Sequence, residues 1–339
     1  MAERIPSPEL GHKSVADLMS GGEPSLATKR LAKLAAWANG DAPTETNHRI
    51  YLGDARVMRE VSDPVHLVVT SPPYFNLIDY DDNGGEDGQL GNLHEYTTFL
   101  DELDRVWRRC FDLLIPGGRL CVVVGSVCLS RKDSGRHHVL PLQADISIRA
   151  REIGFDYLTP ILWYKIANMA TEVGGSSRFL GKPYEPNAII KNDVEYILLL
   201  RKPGGYRSPT LAQRALSLLD PDDHKRLFRS VWDDIRGENR KRGHPAPYPM
   251  EIAARLIRMF SFVGDTVLDP FWGTGSTTVA AIQNARSSIG YEIEATYLAM
   301  GRERLAQLDA AAVPAKIKYP PKPSRARVKS APSGRQPRG

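Results

Sequence analysis

"TVLDPFWGTGSTTVAAIQNARSSIGYEI", residues 266–293, reads as a strand, a loop, a helix and a second strand. "TVLDP" is apolar and stops at a proline, "FWGTG" carries two glycines, "STTVAAIQNA" has helical spacing, and "SSIGYEI" returns to strand. Outward from this unit the same alternation continues. "PMEIAARLIRMF" is a helix that leads into it. Nearer the start, "RIYLGD" and "HLVVTSPPY" are strands, and "EYTTFLDELDRVWRRCFDLL" is an amphipathic helix. "PGGRLCVVVG" is a turn and a buried strand, "LPLQADISIRAREIG" a helix closed by Gly154, and "YLTPILWYK" a strand. Strands separated by helices imply an α/β fold with a mostly parallel, doubly wound sheet. Residues from about 166 to 243 break the rhythm and are expected to be an insertion. Residues 1–45 are expected to be a loosely ordered leader with one helix around Pro24–Asn39.

A chain of 339 residues with 42% hydrophobic residues has an ample core. Its longest apolar runs are strand-sized, well short of the roughly 20 residues of a membrane span. The opening "MAERIPSPELGHKS" lacks the basic start and apolar stretch of a signal peptide. Together these predict a cytoplasmic protein without a membrane partner. Cys110, Cys121 and Cys128 lie in or beside apolar segments without metal-ligand spacing, so reduced core thiols and no metal are expected. Residues 310–339 hold eight Lys or Arg and no acid, leaving 37 of the 45 bases against 40 acids elsewhere. The net charge of +5 therefore belongs to this Pro-rich end. It is expected to be disordered, serving either as a solubilising end or as an arm that binds phosphate.

Ligands of a doubly wound sheet sit at the carboxyl ends of its strands, where the strand order reverses. Three loops fall there: "GD" at 53–54, "TSPPY" at 70–74 and "DPFWGTGST" at 269–277. In the last, Gly273 and Gly275 let the backbone approach a ligand, and a helix begins at Ser276. A phosphate-binding P-loop needs a lysine after its second glycine, where Ser276 stands. A dinucleotide fingerprint needs a third Gly or Ala, where Thr278 stands. Glu292 ends the next strand at the distance where an acid grips a ribose diol, and Asp269 is read as an acceptor for a cationic amino group. A nucleoside bearing an amino acid meets both requirements, and S-adenosylmethionine is that molecule. Phe271 is expected beside it, and Trp272 at the surface or on a lid.

Taken together, "TSPPY" and "VLDPFWGTGSTTVAA" resemble the DNA methyltransferases that modify exocyclic amines, cytosine at N4 or adenine at N6. "RIYLGDA", "GQLGNLHEY", "LIPGGRLCVVVG", "ILWYK", "HPAPYPMEIAARLI" and "IGYEIEATYLAMGRERL" are similar as well, so the resemblance spans roughly residues 48–307. Catalytic motif before cofactor motif is the order of the family's β group. The resemblance implies a Rossmann-like S-adenosylmethionine-dependent methyltransferase fold over 46–309, with the inserted stretch reading DNA. It also implies that Ser71 and the carbonyl of Pro72 accept the two amino hydrogens of an extruded base, while Tyr74 stacks on its face. Pro72 and Pro73 fix those acceptors in advance. Asp54 matches an acid near the cofactor's adenine, and Pro247 and Tyr248 match a segment lining the same pocket. Asp79 and Tyr80 fit the family pattern without an assigned chemistry. Carbon-5 methylation would need a Pro-Cys pair, which this sequence lacks.

Arg178, Lys182, Arg236, Arg240, Lys241 and Arg242, in glycine-rich loops of the inserted stretch, are the residues expected to contact double-stranded DNA. Ser71 before the two prolines favours cytosine N4; adenine N6 is the alternative, and an inactive DNA-binding module of the same fold is the third reading. RNA or protein glutamine substrates would more usually go with "NPPY". Further partners that the resemblance allows are a second copy of the chain and a restriction endonuclease acting on the same site.

Overall fold

A computed structural model describes residues 45–75, 88–129, 131–165, 186, 190, 192–219, 221–237, 248–308 and 314–319. The sheet begins with β1 (Thr46–Leu52) and β2 (Val65–Thr70). Helix α1 (Tyr96–Leu113) runs directly into β3 (Leu114–Val124), and its buried Phe99, Leu103, Val106, Trp107 and Cys110 form one apolar stripe. A ribbon of β4 (Val127–Leu129) and β5 (His138–Leu140) encloses the short α2 (Arg131–Ser134). Helix α3 (Leu142–Ile153) stops at Gly154, whose φ of 121° suits glycine, and β6 (Asp156–Tyr164) follows. Next come β7 (Val194–Arg201), α4 (Leu211–Leu216), α5 (Pro221–Leu227) and β8 (Val231–Trp232). The remaining elements are α6 (Met250–Phe260), β9 (Thr266–Asp269), α7 (Ser276–Gln283), β10 (Ser287–Glu292), α8 (Ala295–Ala306) and β11 (Ala315–Lys318).

Among the described residues, nine strands make one sheet in the order β11-β1-β10-β9-β2-β3-β7-β6-β8. Neighbours from β11 to β3 are parallel, and β7 is antiparallel to both β3 and β6. Successive side chains of β3 enter opposite cores, as the pleat requires. Leu120, Val122 and Val124 pack with Trp107 of α1 and Ile146 of α3, while Cys121 and Val123 pack with Ile252 and Leu256 of α6 and Ala280 of α7. Both faces are therefore covered, and the strands are apolar on both sides.

The fold corrects three expectations. β7 lies inside the stretch read as an insertion, yet it is an inner strand between β3 and β6. It returns antiparallel from β6, which interrupts the strand-helix alternation by which the sheet was recognised. β11 lies inside the stretch expected to be disordered; it pairs with β1, and Ile317 packs toward the core. As an edge strand, its alternating lysines read as a charge run. Cys110 and Cys121 are buried, but Cys128 is exposed on the ribbon. Residues 1–44 and 320–339, with the expected leader helix, lie outside the described residues. Among the described residues no helix is long and apolar enough to cross a membrane, and no group of three His, Cys, Asp or Glu is placed to hold a metal.

Candidate active site

From β9 the chain winds through α7 to β10 on one side, and from β2 through α1 to β3 on the other. The loops leaving β9 and β2 therefore part, and a crevice opens between them. A cleft of about 910 Å³, counted out to its open mouth, lies there. Ser71–Tyr74 form one wall and Pro270–Thr274 the facing one, with Asp54, Glu292 and Tyr297 between them.

Asp269 underlies this cleft without lining it. It is 1% exposed, and both its oxygens already accept hydrogen bonds. Oδ1 accepts from Thr70 Oγ1 at 2.7 Å and from the Phe271 amide at 3.1 Å, and Oδ2 accepts from Thr277 Oγ1 at 2.6 Å. The Tyr248 hydroxyl is bonded to the same Thr277 oxygen. Burial raises the carboxyl to about 6 despite these donors. The expected direct grip on a cationic amino group is thus replaced by another role: Asp269 ties the end of β2 to the end of β9 and braces both loops.

Trp272 is 2% exposed, not at the surface or on a lid. Its ring fills a slot left by three glycines: a Cβ on Gly290 would stand 2.2 Å from Cδ1, one on Gly301 2.4 Å from Cη2, and one on Gly275 2.7 Å from Cζ2. The indole N–H donates to Thr278 Oγ1 at 2.8 Å. Thr278 stands where a dinucleotide fingerprint has its third small residue, and the structure gives the reason for the departure: this position holds an indole. Gly273 and Gly275 adopt φ of 54° and 82°, and Gly275 starts α7. Phe271 turns the other way and meets the Trp107 ring edge-on at 6.0 Å between centroids.

Among the described residues, two carboxylates line the cleft. Glu292 accepts from the amides of Gly273 at 2.7 Å and Glu294 at 2.8 Å. Burial raises its carboxyl to about 7; the two amides oppose this, and the charges of Asp269 and Glu294 add to it. Asp54 follows the neighbouring strand end, because β1 and β10 run in register from His48–Ser288 to Leu52–Glu292. Burial would raise Asp54, but the hydrogen bonds and charge of Arg56 outweigh it and hold the carboxyl below its usual range. Arg56 also reaches Glu102 on α1 and the carbonyl of Gly88.

The raised Glu292 should make cofactor binding depend on pH. Ionised above about 7, it can accept from the hydroxyls of a ribose; protonated below, it loses an acceptor. S-adenosylmethionine affinity is expected to weaken by up to about tenfold per pH unit below about pH 7. Calorimetric titrations between about pH 6 and 8 check this, and Glu292→Gln should flatten the dependence.

The β2 loop is stiff. Pro72 is buried, Pro73 follows, and Phe75 anchors the far end against Tyr96 and Phe99 at 5.2 and 5.5 Å between centroids. Ser71 and Tyr74 are left facing the cleft. Arg236 is exposed at the end of the segment after β8. Asp79, Tyr80, Pro247, Arg178, Lys182, Arg240, Lys241 and Arg242 lie outside the described residues. Gln89, Tyr291 and Tyr297 also line the cleft; the quoted stretches "GQLGNLHEY" and "IGYEIEATYLAMGRERL" contain them, but sequence reasoning gave them no role, because distant segments bring them together.

A doubly wound sheet with a glycine-bearing loop at its switch point, an acid ending the next strand and a rigid Ser-Pro-Pro-Tyr turn opposite defines the class of S-adenosylmethionine-dependent DNA methyltransferases. The chain belongs to the DNA methylase family, whose family model matches residues 65–303. Type II methyltransferase M.MjaI of Methanocaldococcus jannaschii is 39% identical over 278 residues, covering 74% of this chain and 88% of that protein. DNA adenine methyltransferase YhdJ of Escherichia coli K12 is 32% identical over 264 residues, covering 74% and 79%. Among solved structures, TTHA0409 of Thermus thermophilus, complexed with S-adenosyl-L-methionine, superposes with a TM-score of 0.63 at 48% identity, covering 80% of this chain and 97% of that one.

Proposed function

We propose that this protein methylates the exocyclic amine of cytosine at N4 in double-stranded DNA, at a specific site, after extruding the base into the cleft. The observation that carries the reading is that Ser71–Tyr74, Asp54 and Glu292 line one cleft at the switch point. The residues present fit S-adenosylmethionine. Glu292 suits its ribose hydroxyls, Asp54 its adenine end, Gly273 the close approach of backbone, and Phe271 a flat apolar contact. Bound there, the cofactor supplies a methyl group on a sulfonium. An exocyclic amine is a poor nucleophile because its lone pair is delocalised into the ring. Ser71 Oγ and the Pro72 carbonyl accept its two hydrogens, which turns the lone pair out of conjugation, and the Tyr74 ring stacks on the base.

Ser71 is the basis for choosing cytosine. The likeness to an adenine methyltransferase at 32% identity supports adenine N6 as a second reading. Digestion of methylated DNA to nucleosides, followed by mass spectrometry, is expected to yield N4-methylcytosine; N6-methyladenine alone would overturn the choice of base. Arg236, with Arg178, Lys182, Arg240, Lys241 and Arg242, is assigned to phosphate and base-edge contacts. A cytoplasmic enzyme that pairs with a second copy of itself, and shares its site with a restriction endonuclease, completes the proposal.

A further inference from the structure

Tyr74 is gripped by groups that the reaction as described does not use. Its hydroxyl donates to Oε1 of Glu195 at 3.1 Å and accepts from the Gly125 amide at 3.2 Å. Glu195, on β7, is 8% exposed and forms an ion pair with Nζ of Lys165, the residue after β6. A carboxylate buried this deeply is tolerable only when paired, and Lys165 pairs it. Gly125 makes room: a Cβ there would stand 3.3 Å from Glu195 Cγ and 3.5 Å from the Tyr74 hydroxyl. A tyrosine ring has two soft torsions, so a stiff backbone alone leaves its plane undetermined. Pro72 and Pro73 hold the near end of this side chain, and Glu195 with Gly125 holds the far end.

We propose that Glu195 and Lys165 are positioning residues for methyl transfer, presetting the plane of the Tyr74 ring on which the target base stacks. The proposal rests on the reading of Tyr74 as that stacking face. It also has a spatial corollary. The Lys165 amide donates to the Asp193 carbonyl at 2.9 Å, so the pair stands at the root of the connection between β6 and β7. In sequence, that connection carries Arg178 and Lys182, two of the residues proposed to contact DNA.

The test uses the full chain with plasmid DNA and labelled S-adenosylmethionine under single-turnover conditions, alongside calorimetric cofactor affinity. Glu195→Leu and Tyr74→Phe should each slow transfer about tenfold, the value of one hydrogen bond to a charged group. The double variant should be no slower than either single one, because both remove the same contact. Glu195→Gln, which keeps an acceptor, should recover most of the rate, and cofactor affinity should stay at the parental value throughout. If Glu195→Leu does not fold, Lys165→Met replaces it, with the same expected loss and the same non-additivity toward Tyr74→Phe. Parental rates in the Glu195 and Lys165 variants, multiplied losses in the double variant, or a matching loss of cofactor affinity would each overturn the proposal. Tyr74→Ala serves as the reference. If it retains the parental rate, the stacking reading itself fails; if it alone is slow, that reading stands and the positioning role does not.

Discussion

Tyr74→Ala is expected to bind S-adenosylmethionine as tightly as the parent and yet to transfer methyl groups about ten- to a hundredfold more slowly, the range for losing one base-aromatic stack. The ring lines the cleft, and the stacking proposed for it forms only once a base has left the duplex. Removing it therefore leaves the cofactor contacts proposed at Glu292, Asp54 and Gly273 in place. Ser71→Ala should behave alike, since it removes an acceptor that an extruded amine needs and leaves the cofactor untouched. Single-turnover transfer compared with calorimetric affinity separates the two effects. Parental rates in both variants would mean that the base is held elsewhere.

The second large effect concerns stability. Trp272→Ala should lower the unfolding free energy by about 3 to 5 kcal/mol, the usual cost of emptying a large buried aromatic site. The slot cannot collapse easily, because its walls are backbone at Gly275, Gly290 and Gly301 and the indole N–H has a fixed partner in Thr278. Urea unfolding at unchanged slope measures the loss. Cofactor affinity should fall with it, since Gly273 is the next residue and Glu292 holds its amide. A loss under about 1 kcal/mol, the range of a surface substitution, would mean the ring is not packed as described.

The β-α-β unit at 266–293 was legible because its strand, its glycines and its helix all favour the same local structure. The facing loops at 53–54 and 70–74 were legible for a related reason: they follow strands in a parallel sheet, and such ends gather at one edge. What the sequence hid depends on partners far along the chain. An acid at a strand end is visible in Asp269, but Thr70, which bonds one of its oxygens, lies 199 residues away. The same is true of Glu195, which reads as one polar residue in an apolar strand until it meets Tyr74 across 121 residues. β7 escaped because its direction is antiparallel, and β11 because an edge strand needs only one apolar face. Trp272 was misplaced because the glycines that admit it are spread over two other elements.

The sheet also bears on how such chains can be rearranged. β9 and β2 lie side by side, yet along the chain β2 precedes α1 and β9 follows α6, with β3 to β8 between them. β11 leaves the sheet beside β1, at its opposite end, so a link from one to the other would cross the sheet once, as α8 does between β10 and β11. A circular permutant opened ahead of α6 could then form the same strand order with the cofactor half translated first. In such a permutant the order of the motifs along the chain would change while the strand order stayed the same.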